Sequence, residues 1–248
     1  MRYLLISDTH SNLEALQACC ELAEGKYDEA VCLGDLVGYG PDPNEVIAEV
    51  RALAKVIIRG NHDKACCGLD DAADFNPFAR LATDWTRQAL THSNFDYLRS
   101  LPGGPVVIDG FVMVHGSPLG EDEYIIGPGQ ALPLLRSPES QTVCFGHTHI
   151  QGGFMLTPAG RYQSIRCYSK SDGLASTLTL ENSARYLLNP GSVGQPRDGD
   201  WRAGFAILDV DKQQIEYYRI PYDVDRTQAR MQAAGLPEPL SHRLLLGR

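Results

Sequence analysis

Eight residues of this 248-residue chain have the types and spacing from which a reactive centre can be built: Asp8, His10, Asp35, Asn61, His62, His115, His147 and His149. Five of the seven histidines belong to this set, while His92 and His242 stand apart and read as ordinary structural histidines. Imidazole and carboxylate donors without thiolate suit divalent ions such as Mn²⁺, Fe²⁺, Zn²⁺ or Ni²⁺ and not a cysteine-rich structural zinc site. The set is too large for one tetrahedral ion. Two ions about 3.5 to 4 Å apart, bridged by one carboxylate and a hydroxide, would use it and would give the in-line geometry of phosphoester hydrolysis. Within it, Asn61 reads as a metal ligand and His62 as a residue facing a substrate phosphate.

These residues follow short buried runs, as positioning elements require. Tyr3 to Ser7 is an apolar run ending in Asp8-Thr9-His10, and Leu13, Leu16, Cys20 and Ala23 then recur at helical spacing behind a cap at Ser11 or Asn12. Ala30 to Leu33 leads in the same way to Asp35 and to a helix from Pro43, capped by Asp42, whose apolar face is Val46, Ile47, Val50 and Leu53. Lys55 to Ile58 leads to Asn61-His62-Asp63. Three successive β-loop-α units predict a parallel sheet with right-handed crossovers and ligands at the carboxyl edge of its strands.

Further along, residues 64 to 101 are helical in character, with Phe78, Leu81, Ala82, Trp85 and Ala89 expected in the core and a second short helix at Phe95 to Leu101. Asp109-Gly110 marks a hairpin between Pro105–Ile108 and Phe111–Val114, whose second strand runs into His115. Thr142 to Phe145 runs into His147 and His149. After Ile150 the pattern becomes strands at Arg161 to Ser169, Ser176 to Leu180, Arg185 to Leu188, Gly204 to Val210 and Gln214 to Ile220, which read as a second sheet. A helix follows over Asp223 to Ala234. No repeat or linker interrupts the chain, so residues 1–248 are expected to form one domain.

The net charge of −9 and pI near 5.2 argue against stable nucleic-acid binding, which needs clustered Lys and Arg. A phosphorylated small substrate then needs local cations, and metal ions supply them. The seven cysteines are odd in number and show no CxxC spacing, which predicts reduced thiols in a cytoplasm; Cys66-Cys67 read as small apolar residues opening a helix. The first apolar run is too short for a signal peptide and no stretch is long enough to span a membrane, so the protein is expected to be cytoplasmic and unanchored. Its oligomeric state is open at this level.

Asp8-Thr9-His10, Gly34-Asp35-Leu36-Val37-Gly38, Gly60-Asn61-His62-Asp63, His115 and Gly146-His147-Thr148-His149 together resemble the five signature blocks of the calcineurin-like metallophosphoesterase superfamily. The resemblance implies a four-layer αββα sandwich, two mixed β-sheets flanked by helices. It implies one metal held by Asp8, His10, Asp35 and His149, a second held by Asp35, Asn61, His115 and His147, and a metal-bridging hydroxide as nucleophile. It gives His62 contact with the phosphate and protonation of the leaving oxygen, for which a near-neutral pKa is suited. Asp63 either orients and charges that ring or caps the next helix.

Asn189 to Arg197 resembles the loop that closes the site in bacterial small-phosphodiesterase members, where Arg197 would clamp a phosphate or nucleotide; a turn held by surface salt bridges is the plainer alternative. Hydrolysis of small phosphodiesters, nucleotides among them, is the activity this implies. A phosphomonoesterase or protein phosphatase of the same chemistry and a non-catalytic metal-containing scaffold are the alternatives. The protein Ser/Thr phosphatase branch fits less well, because Tyr39-Gly40 stands where that branch carries an acidic-Arg pair.

Overall fold

The computed structural model describes residues 1–137, 141–167 and 171–248. One sheet begins with three parallel strands, β1 (Arg2–Ile6), β2 (Glu29–Cys32) and β3 (Val56–Ile57), joined through helices α1 (Leu13–Ala23) and α2 (Pro43–Leu53). Asn12 caps α1 by accepting from Ala15 N at 3.2 Å. Asp42 holds the cap position of α2 but directs its carboxylate to Arg230 instead of the helix. The chain continues through α3 (Asn61–Cys66), α4 (Pro77–Ala89) and α5 (His92–Ser100) to the hairpin β4 (Val106–Ile108) and β5 (Phe111–Met113). Then come α6 (Pro128–Arg136), β6 (Thr142–Cys144), β7 (Gly152–Leu156), β8 (Tyr162–Arg166), β9 (Ser176–Thr179) and β10 (Arg185–Asn189). The last elements are β11 (Ala203–Asp209), β12 (Gln214–Ile220), α7 (Val224–Ala233), α8 (Glu238–His242) and a 3₁₀ turn at Arg243–Leu246.

Two mixed sheets of six strands result, ordered β3-β2-β1-β11-β12-β9 and β4-β5-β6-β10-β7-β8. Alternation along each strand builds the layers, since successive side chains point to opposite faces. Tyr3, Leu5, Val31 and Leu33 meet Met113, Cys144, Tyr186 and Leu188 between the sheets, while Leu4, Ile6, Ala30 and Cys32 pack outward with Leu16, Val46 and Ile47 of α1 and α2. On the opposite flank Val143, Phe145 and Leu187 pack with Ala131 and Leu135 of α6. The fold is α/β in four layers, helices outside two sheets.

Several expectations are corrected. The strands after Ile150 do not make a sheet of their own: β9, β11 and β12 extend the first sheet and β7, β8 and β10 the other. The cause is β11, whose continuous apolar sequence pairs antiparallel with β1 (Leu4 opposite Ile207) and is buried on both faces. Strand β7 escaped the sequence pattern because it opens with Gly152-Gly153, and glycine pairs read as turns. Phe78 and Leu81 are 45% and 57% exposed; α4 instead buries Ala79, Ala82, Thr83 and Thr86, small residues that let it lie close to α3. Cys66 and Cys67 close α3 instead of opening a helix. The end of the expected strand 161–169 lies outside the described residues.

Gly153 has φ +135°, and a Cβ there would overlap the Leu187 carbonyl oxygen of β10. Gly153→Ala should therefore cost about 3 kcal/mol or more, whereas Gly127→Ala, where a Cβ meets nothing within 4 Å, should shift stability by less than about 1 kcal/mol. Urea unfolding of the two variants checks this, and equal effects would contradict the strand assignment.

Candidate active site

All eight residues singled out by type meet at one place, where strand ends of the two sheets converge. Asp8 and His10 follow β1, Asp35 follows β2, Asn61 and His62 open α3 after β3, His115 follows β5, and His147 and His149 follow β6. Five of them hold left-handed backbone: Asp8 (φ 54°), His10 (44°), Asp35 (55°), His147 (63°) and His149 (59°). Such conformations cost roughly 1–3 kcal/mol each and persist only where the surroundings enforce them. Here the backbone does so, with Asp8 N donating to Gly34 O at 2.9 Å, His10 N to Asp35 O at 3.0 Å, Gly194 N to Asp8 O at 2.9 Å and Gly146 N to His115 O at 2.8 Å.

The side chains gather into two buried groups that share Asp35. Asp8, His10, Asp35 and His149 each offer an atom within 4.8 Å of the others, and so do Asp35, His115 and His147. Asp35 Oδ2 lies 3.6 Å from His10 Nε2 and 3.4 Å from His115 Nε2, and Asp8 Oδ1 lies 3.4 Å from His149 Nε2. Asn61 Oδ1 lies 3.2 Å from His115 Nε2, at the edge of the second group.

Three imidazoles are held from behind. Nδ1 of His10 meets Val37 O at 3.0 Å, that of His115 meets Leu33 O at 2.8 Å, and that of His149 meets Gln195 O at 2.6 Å. Nδ1 must carry the proton to donate there, which turns the Nε2 lone pair toward the interior of the site, as a metal-ligating histidine requires. The atoms at the centre fit a cation. Asp8 Oδ2, Asp35 Oδ2 and His147 Nε2 are buried with no hydrogen-bond partner, and His10 Nε2 faces His149 Nε2 at 3.1 Å. Acceptors facing acceptors fit divalent cations, each of these atoms being a donor to a metal.

Charge balance says the same. Burial drives the Asp8 carboxyl up to about 7, and the Asp35 charge adds to this against the pull of His115. Burial also opposes the Asp35 charge, but His115, His62 and His10 outweigh it and hold that carboxyl well below its ordinary range. His115 accordingly rises to about 10, Asp35 overcoming its burial. Burial lowers His10 to about 4 and His147 to about 3, and holds His149 well below 6.5. Neutral imidazoles beside carboxylates are the ligand form, and the proton on His115 stands where a cation would do the same work for Asp35.

His62 is separate from both groups. Its backbone N donates to Asp35 Oδ1 at 2.9 Å, its ring packs among Tyr39 (4.4 Å), Phe75 (4.5 Å) and His10 (4.9 Å), and its Nδ1 has no partner. Asp63 takes the capping role: Oδ2 accepts from Gly60 N at 2.9 Å and Oδ1 from Leu36 N at 2.8 Å and Val37 N at 3.2 Å. Its carboxylate thus clips the Asp35 loop to α3 and makes no hydrogen bond to the His62 ring. Arg197 donates to Gln195 Oε1 at 3.0 Å and forms no carboxylate ion pair among the described residues, so it is not a salt-bridged turn; its charge is felt at Asp8, His10, His62 and His149.

Sequence reasoning missed the aromatic walls. Tyr124 stacks on His147 at 3.8 Å, and Tyr39 and Phe75 flank His62. Tyr39 directly follows the Gly34–Gly38 block, a placement that signals it; Tyr124 and Phe75 lie in stretches without periodicity.

Two sheets between helices, with paired Asp/His clusters at their strand ends, define a metal-dependent phosphoesterase fold. Residues 1–213 match the model of the calcineurin-like phosphoesterase superfamily domain, and the chain belongs to that superfamily. It is a metallophosphoesterase-superfamily hydrolase, from a family that uses divalent metals. It is 32% identical to an uncharacterized protein of Methanocaldococcus jannaschii over 98% of this chain and 97% of that one. A metallophosphoesterase from Sphaerobacter thermophilus superposes with a TM-score of 0.84 at 39% identity, covering 100% of this chain and 99% of its own. A hypothetical protein from Pyrococcus horikoshii shares the fold, with a TM-score of 0.79 at 22% identity over 100% and 98%.

Because Asp63 satisfies three buried backbone N–H groups, Asp63→Ala should lower the stability of the metal-stripped protein by about 2–4 kcal/mol. Urea unfolding measures it; a loss under about 0.5 kcal/mol would show that the clip is not needed.

Proposed function

We propose that the chain is a dinuclear metal-dependent phosphohydrolase acting on small phosphodiesters, nucleotides among them. The reading is carried by the two groups that share Asp35, whose unpartnered oxygens and nitrogens face each other. Asp8, His10, Asp35 and His149 would hold one ion, and Asp35, Asn61, His115 and His147 the other. The ions, when bound, would supply Lewis acidity to the phosphoryl oxygens and acidify a water molecule. Manganese, iron, zinc and nickel all suit these donors.

Asp35 positions as well as ligates, because its Oδ1 fixes the first turn of α3 and with it the His62 backbone. Burial holds His62 well below its ordinary range, so the proton it gives the leaving oxygen depends on a phosphate whose charge stands beside the ring and supplies the partner its Nδ1 lacks. Tyr39 and Phe75 keep that ring in place and shield it from water. Arg197 brings positive charge to the phosphoryl group from the side of the Asn189–Arg197 loop, whose Gln195 carbonyl also anchors His149. The diester preference rests on the resemblance of this loop to that of small phosphodiesterases, and the relative rates with 4-nitrophenyl phosphate and its bis-ester separate it from a monoesterase.

No described helix is long and apolar enough to cross a membrane, and all seven cysteines are free. We place the protein in the cytoplasm as a single domain over residues 1–248, without nucleic-acid or membrane partners.

Chelator-stripped protein should regain hydrolysis of bis(4-nitrophenyl) phosphate with Mn²⁺. His62→Ala should retain two ions per chain by elemental analysis yet lose about 10²- to 10⁴-fold in kcat. Asp35→Ala should lose both ions. Full turnover without His62, or no turnover with any divalent ion, would overturn the proposal.

A further inference from the structure

Two guanidinium groups converge on one aromatic ring at the rim of the site. Cζ of Arg197 lies 5.6 Å, and that of Arg243 5.8 Å, from the centroid of Tyr39, the same ring that packs on His10 and His62. Arg197 donates to Gln195 Oε1 and to the Tyr124 hydroxyl, and Arg243 to the Arg248 carbonyl oxygen. Neither meets an acidic side chain among the described residues, and Arg197 Nε is buried without a partner. In a chain of net charge −9, two neighbouring guanidinium groups without an Asp or Glu partner among the described residues are a local exception that needs a reason.

The pair is built, not accidental. Arg243 opens the 3₁₀ turn whose Leu244 is buried in the helix-side core. Gly247 ends that turn in left-handed backbone (φ 60°) and lies so close to the Arg197 loop that a Cβ would come within 2.7 Å of the Asp200 backbone. Gly199 N donates to Gly247 O at 3.0 Å, which locks the turn carrying Arg243 against the loop carrying Arg197. Burial, and then the Arg197 charge, work against the charged form of Arg243. An anion at this place removes that cost and supplies acceptors to both forks.

Arg197 links the clusters to Arg243: it acts on Asp8, His10, His62 and His147, and Arg243, which packs against Tyr39, feels its charge as well. We propose that Arg197 and Arg243 form a second anion subsite beyond Tyr39, so that the substrate is a small phosphodiester or nucleotide carrying another phosphate besides the scissile one. This rests on the phosphohydrolase reading and names its substrate class.

The probes are methylphosphonate and methylenediphosphonate, one and two phosphonyl groups that the enzyme does not cleave, titrated calorimetrically into the Mn²⁺-loaded protein and used as inhibitors of bis(4-nitrophenyl) phosphate hydrolysis. The diphosphonate should bind at least about 10-fold more tightly, the worth of one further charge-assisted contact. Arg243→Ala and Arg243→Gln should each remove most of that ratio, and Arg243→Lys should keep most of it. Because both probes meet the same ions, a ratio identical in wild type and in Arg243→Gln, or a wild type without preference, would overturn the subsite. If the protein hydrolyses nothing while the calorimetric ratio still follows Arg243, the phosphohydrolase reading fails and the anion subsite stands.

Discussion

The structure turns on the burial of one carboxylate. Asp35 is 1% exposed, just past the end of β2: Oδ1 accepts from the His62 backbone, and Oδ2, without a hydrogen-bond partner, faces His10 and His115. A carboxylate removed from water is costly unless charges or donors replace the solvent. Those replacements come from two directions, the first turn of α3 after β3 and His115 after β5. The first belongs to one sheet and the second to the other, so the groups that balance Asp35 also tie the two sheets together at their carboxyl ends. Removing Asp35 would leave His115 without the charge that keeps it protonated and would free the start of α3.

The left-handed residues follow from the same demand. A strand in extended backbone alternates its side chains between two faces, and neither face points along the strand axis toward a site at its end. A residue at φ near +55° turns the chain sharply enough to aim a side chain there, and Asp8, Asp35, His147 and His149 all do so. The conformational cost recurs at each position and is met by hydrogen bonds between neighbouring loops, Asp8 to Gly34, His10 to Asp35, Gly194 to Asp8. Loops that stabilise one another in this way move little one at a time, which suits a centre whose geometry must be set before any substrate arrives.

The polar residues of the site were legible in the sequence because chemistry and order coincide: each stands directly after a short apolar run, and a local signal suffices. The four layers came from the resemblance to the superfamily; the residue pattern alone put the later strands in a sheet of their own. What escaped is whatever tertiary pairing decides. The sequence of β11 says that it is buried on both faces but not that its partner is β1, more than 190 residues earlier. Gly152 and Gly153 read as a turn because only the closeness of β10 shows why a strand there excludes side chains. Phe78 and Leu81 look like core in one dimension and are exposed because the small residues of α4 are what fits against α3. Asp63 is the instructive case, since the sequence allowed a cap or a catalytic partner and only the three backbone donors around it choose between them. Arg243 carried no signal at all; its meaning depends on a 3₁₀ turn docking beside a loop that is distant in the fold's order.

An acidic chain that binds phosphate must change sign locally. The atoms facing the centre are carboxylate oxygens, an amide oxygen and imidazole lone pairs, and left to themselves they repel an anion. Arg197 cannot reverse this alone, because its single charge is opposed by Asp8 and Asp35. On the proposed reading the ions reverse the sign at the scissile phosphoryl group, and the arginines extend the positive region outward past Tyr39. Affinity for phosphate is then conditional on cation loading, while selection among phosphates is assigned to residues that never touch the ions. That separation lets the recognition surface vary without disturbing the chemistry, because the Arg243 turn is anchored through Leu244 and Gly247 to the helical flank and the Asp200 loop, and not to any group that balances Asp35.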